Sequence, residues 1–112
     1  MGPIAQRLAL LATAAAVAAA LMVAPPFAWA KTLRMALENV AFGPAPADAR
    51  VGDVVDWVNK DFVAHTATAR DGSFDIELPP GKTVALTLRR AGSIAFYCRY
   101  HPNMTGAITV AP

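Results

Sequence analysis

Cys98, His101 and Met104 fall within one short stretch, Cys98-Arg99-Tyr100-His101-Pro102-Asn103-Met104, and a second histidine, His65, lies upstream. A thiolate, two imidazole nitrogens and a weak axial thioether suit copper, because a trigonal set of this kind compromises between the geometries its two oxidation states prefer. The chain has 1 cysteine and 2 histidines, so this grouping uses every one of them. No donor of either type is left over to explain the pattern away.

Before those residues can be positioned, the amino terminus must be set aside. Met1 to Arg7 carries one positive charge, Leu8 to Val23 is an almost unbroken apolar run, and Ala28-Trp29-Ala30 is a small-x-small cleavage site. This is the three-part pattern of a secretory signal peptide over residues 1–30, which predicts export to the periplasm. A retained anchor is the alternative, but Thr13 interrupts the run, Pro25-Pro26 ends it and no positive cluster follows. Stable membrane insertion after cleavage is therefore not expected. The run also inflates the 55% hydrophobic content of the whole chain.

Residues 31–112 suffice for one small domain. The formal net charge of +2 and the absence of any basic run longer than Arg89-Arg90 give no reason to expect nucleic-acid binding. An exported domain of this size usually needs a staple, and a single cysteine forms no intramolecular disulfide. A metal is the remaining candidate.

The elements that must hold the donors read as short strands. Thr32 to Leu37 alternates, with Leu33, Met35 and Leu37 on one side, and Val40 and Phe42 continue or restart it before Gly43-Pro44-Ala45-Pro46. Val54 to Val58 is β-branched and aromatic; Thr66 to Ala69 is a weaker candidate ending at the turn dipeptide Asp71-Gly72. Ser73 to Glu77, Thr83 to Leu88, Ser93 to Cys98 and Ala107 to Val110 complete the series. About seven short strands without helical period predict an antiparallel all-β sandwich or barrel. Cys98 then sits where a strand runs out into a loop.

Each donor alone has an ordinary explanation. A lone cysteine is usually a small buried hydrophobe, a lone histidine a surface or hydrogen-bonded group, and a methionine core filler. Together those readings require a free thiol in an oxidising compartment and leave the shared loop unexplained. Zinc competes, since it accepts cysteine and histidine, but it more readily takes a second cysteine or a carboxylate than a methionine. Trp57 is read as core. Asp53 and Asp56 lack a clustered partner for acid and base chemistry, so no catalysis is assigned to them.

With these residues in view, residues 31–112 resemble the small type 1 (blue) copper proteins of the cupredoxin superfamily, in the plastocyanin and amicyanin group. The compact Cys98-x-x-His101-x-x-Met104 loop is most similar to that of amicyanin, and Tyr97, Gly106 and the Gly52-Asp53-Val54-Val55-Asp56-Trp57-Val58-Asn59 stretch support the likeness. The resemblance implies a Greek-key sandwich of seven or eight strands, with one copper held by His65, Cys98, His101 and Met104. It implies an electron port at His101 and an apolar rim to which Pro102, and Phe42 or Pro44, would contribute. It also implies transient redox partners such as a cytochrome c or a dehydrogenase, and a monomer. The family commonly has asparagine after the first histidine, where its side chain ties the two ligand loops together. Here that position is Thr66, whose hydroxyl has less reach.

An electron carrier that is not an enzyme is the function these readings favour. Copper storage or delivery is the alternative, and would require an exposed, readily exchanging site. A multicopper oxidase or nitrite reductase needs more ligands and more chain. A purely adhesive sandwich would leave Cys98 reactive whether or not copper is present.

Overall fold

The computed structural model describes residues 29–112, and among them it contains eight strands and no helix. The apolar leader expected over residues 1–30 lies outside the described residues except for Trp29 and Ala30. The strands are β1 (Thr32–Leu37), β2 (Ala49–Arg50), β3 (Val54–Asn59), β4 (His65–Ala69), β5 (Asp75–Leu78), β6 (Thr83–Thr87), β7 (Gly92–Tyr97) and β8 (Thr105–Ala111). They form a three-stranded sheet ordered β1-β3-β6 and a five-stranded sheet ordered β2-β8-β7-β4-β5.

The all-β sandwich is as expected, but the pairing is not purely antiparallel. β1 runs parallel to β3, with Thr32 opposite Val54 and Leu37 opposite Asn59, and β2 runs parallel to β8. Alternating hydrophobicity specifies which face is buried and says nothing of strand direction. β2 itself went unread because two residues cannot display a period.

Period-2 patterning decides what each sheet contributes to the core. Met35 and Leu37 of β1, Val55 and Trp57 of β3, Ile94 and Phe96 of β7 and Ile108 and Val110 of β8 point inward and are buried. Phe96 meets Trp57 edge to face at 5.2 Å and Phe42 at 4.8 Å, the geometry aromatic quadrupoles prefer. The Trp57 indole N–H is buried without a partner among the described residues. Phe42 does not extend β1: Asn39 and Val40 adopt left-handed backbone, each at φ 56°, and Phe42 returns as a single antiparallel bridge to Leu37.

Gly106 is required by space. It lies opposite Phe96 across β7 and β8, and a Cβ there would stand 2.6 Å from the Phe96 ring. The Cε2–Cζ edge of the ring thus fills the space beside Gly106, on the strand that carries the chain away from Met104.

At one end of the sandwich, where parallel β1 and β3 both begin, Asp53 is buried. It accepts hydrogen bonds from Lys31 N at 3.0 Å, Lys31 Nζ at 2.8 Å and Arg50 N at 2.9 Å. The Lys31 side chain, its backbone N–H and that of Arg50 pull the Asp53 carboxyl down from 3.8 to about 2. A depressed folded-state value means stability that is present above the unfolded value and lost as pH falls through the folded one. Thermal melts should therefore show Asp53→Asn below wild type at neutral pH, with the gap closing between pH 3.8 and about 2. A gap independent of pH across that window would remove the carboxylate from the account.

Candidate metal centre

The donors gather at the opposite end. His65 is the first residue of β4 and Cys98 directly follows β7; these strands pair antiparallel with Thr68 opposite Tyr97 and Ala69 opposite Phe96. Continuing that register brings the start of β4 beside the exit of β7. The chain then turns back: Met104 N donates to the His101 carbonyl at 2.8 Å, and Cys98 N donates to the Met104 carbonyl at 3.1 Å. This closed loop swings His101 over Cys98.

Three donor atoms converge. His65 Nδ1 and His101 Nδ1 are 3.3 Å apart, and Cys98 Sγ stands 3.8 Å from the first and 3.6 Å from the second. A triangle with those sides has its centre about 2.1 Å from each corner. That matches bonds from a first-row metal such as zinc to imidazole and thiolate, about 2.0–2.3 Å. His65 and Cys98 are fully buried, His101 is half-buried, and Met104 is buried within the hydrophobic core. The two imidazoles and the free thiol of the expected set are therefore brought together, with Met104 closing the loop beneath them.

The surroundings are built from hydrogen bonds. Thr66 N donates to Cys98 Sγ at 3.4 Å, and Arg99 N donates to Thr66 Oγ1 at 2.8 Å. The relay continues from Thr66 to Thr68 at 3.0 Å and from Thr68 to Asp75 at 2.7 Å. The shorter threonine thus ties the two ligand loops together. Asn59 fixes the approach to His65 from below, its amide donating to the carbonyls of Val63 and Leu78, each at 2.9 Å.

Asp61 was not singled out in the sequence, yet its Oδ2 lies 2.7 Å from His65 Nε2. Its carboxylate also accepts from Asn39 N at 2.7 Å and Val40 N at 2.9 Å. The His65 bond, then the Val40 and Asn39 bonds, hold its carboxyl below the ordinary aspartate value. Nothing in the sequence flagged it, because a loop aspartate four residues before a histidine is commonplace.

Phe42, expected at the rim, and Arg99 of the ligand loop both have partners. Phe42 is partly buried, its ring packed edge-on against Trp57 and Phe96 of the core. Arg99 does not project freely: its guanidinium pairs with Asp75 and Glu77, each at 3.1 Å. Pro102 and Pro44 are exposed. The missed apolar residues are Phe62, 98% exposed, with Val63 and Val40.

A family model for the cupredoxin-like domain matches residues 9–110. The chain belongs to this family. Among solved structures it is similar to amicyanin from Paracoccus versutus (24% identity, TM-score 0.60), covering 70% of this chain and 80% of that one. It is also similar to a purple cupredoxin from Nitrosopumilus maritimus (22% identity, TM-score 0.59), covering 70% of this chain and 99% of that one. At these identities the likeness is one of fold. Within that family, the cluster of His65, Cys98 and His101 fits one type 1 copper.

The Thr66 relay makes its own prediction. Thr66→Val keeps the shape but removes the acceptor for Arg99 N–H, and an unsatisfied buried donor costs about 1–3 kcal/mol. Denaturant unfolding should show a loss of that size. Unchanged stability would show that water replaces the hydroxyl.

Proposed function

We propose that this chain is an exported blue-copper electron carrier, with residues 1–30 removed as a signal peptide and residues 31–112 working in the periplasm. His65, Cys98 and His101 supply the strong donors and Met104 the weak axial one. The observation that carries this reading is the convergence of two imidazole Nδ1 atoms and one thiol sulfur at 3.3–3.8 Å. Copper bound there supplies one-electron exchange between its two common oxidation states.

What the chain's own residues contribute is restraint and access. Fixed ligand loops allow little rearrangement as charge changes, and burial of His65 and Cys98 keeps solvent off the site. That burial favours retention of the ion over delivery to another protein. His101 is the more exposed of the two imidazoles, so its outer edge is the route for electrons. Pro102 beside it, with Phe62, Val63 and Val40 on adjoining loops, offers an apolar surface for brief contact with a cytochrome c or a dehydrogenase. The protein would act as a monomer.

Copper(II)-loaded protein should show intense visible thiolate-to-copper charge transfer, and Cys98→Ser should abolish it. A colourless stoichiometric copper complex of the wild type would overturn the reading.

The axial assignment has a separate test. Met104→Leu should retain copper and colour while the reduction potential rises, because removing a weak donor leaves the electron-poor oxidised ion less stabilised than the reduced one. Cyclic voltammetry giving an unchanged potential with full copper content would reduce Met104 to a packing residue.

A further inference from the structure

His65 can face a metal with Nδ1 only if its single neutral-state proton sits on Nε2, since a protonated Nδ1 has no lone pair to give. Something must hold that proton outward. Among the described residues the partner of Nε2 is the Asp61 carboxylate, 2.7 Å away, with the histidine fully buried and the Asp61 side chain 13% exposed. A carboxylate in that position favours the Nε2–H tautomer and makes the ring a stronger donor. His101 has no such support, as its outer nitrogen finds no hydrogen-bond partner among the described residues. The two imidazoles are therefore chemically unequal.

We propose that Asp61 is the positioning residue for His65: its carboxylate fixes the Nε2–H tautomer, aims the Nδ1 lone pair inward and biases the site toward the oxidised ion. This rests on the reading of the cluster as a copper site. The bias is electrostatic, because a negative charge shielded from solvent acts through a lower dielectric than water and favours the higher charge on the metal side of the ring. The same carboxylate accepts from Asn39 and Val40, whose left-handed backbone is uncommon for asparagine and a true outlier for a β-branched residue. One side chain thus sets a turn and a ligand together.

That double duty dictates the controls. Asp61→Asn keeps an oxygen acceptor and removes the charge, but its amide nitrogen would face one of the two turn N–H groups. Val40→Gly relieves the strain at that turn, so Asp61→Asn in a Val40→Gly background, measured against Val40→Gly alone, isolates the effect at His65. Both copper-loaded proteins should be blue, and the pair bearing asparagine should have the higher reduction potential. A tenfold loss of preference for the oxidised ion would appear as about 59 mV. An equal potential in the two proteins would overturn the proposal.

A second readout does not depend on redox behaviour. In the diamagnetic copper(I) protein, NMR should show the His65 Nε2 proton shifted far downfield and exchanging slowly with solvent, and Asp61→Ala in the Val40→Gly background should speed that exchange at least tenfold. Exchange unaffected by Asp61→Ala would overturn the proposal. A wild-type copper(II) complex without the charge-transfer band would instead defeat the carrier reading, while the proton-exchange result would still decide the role of Asp61.

Discussion

Three lone-pair atoms held within 3.8 Å of one another are the constraint on which this end of the molecule depends. In water such atoms would turn outward to separate partners, and burying them together costs free energy unless their outer atoms are satisfied. The scaffold meets this by using strand ends. β4 and β7 are neighbours in one sheet, so their register fixes His65 near Cys98 before any metal is considered. Only His101 must be brought in by a turn, and the Met104 backbone closes that turn from both sides.

The groups around the donors pull in opposite directions. Thr66 N–H points at the Cys98 sulfur and drains its charge, which disfavours an oxidised metal. Asp61 pushes charge into His65 from the other side. Because both lie in hydrogen-bond contact with a ligand, small changes at either position alter the balance without touching the ligand set.

The clustering of His65, Cys98 and His101 was legible in the sequence because cysteine and histidine are so scarce that their placement leaves one arrangement to consider. The strands whose faces differ in burial were legible too, as in Leu33, Met35 and Leu37 of β1. β4 was legible only weakly, as the short candidate Thr66 to Ala69, one residue short of its start at His65. Its residues are buried on both faces, with His65, Ala67 and Ala69 toward the core and Thr66 and Thr68 covered by the relay to Asp75 and Arg99, so the usual alternation is erased. Parallel pairing of β1 with β3 leaves no trace in either strand alone, and Asp61 is held in place by a turn more than twenty residues away. What the sequence withheld was non-local: strand direction, cover on a second face, and partners brought together by folding.

The two ends of the sandwich divide the work. At the start of β1 and β3, Asp53 answers Lys31 and Arg50 in a buried clamp between unstrained strands, and it supports the fold without serving the site. At the other end the backbone is strained at Asn39 and Val40, Phe62 stands almost wholly in solvent, and an aspartate is spent on a ligand. The strained backbone and the exposed phenylalanine are unfavourable for stability alone, and such features persist where the surrounding structure over-determines them. The aromatic packing of Trp57, Phe42 and Phe96 lies between the ends and carries that burden. Gly106 is where the two demands meet, since the space it leaves for Phe96 lets the core extend directly beneath the ligand loop.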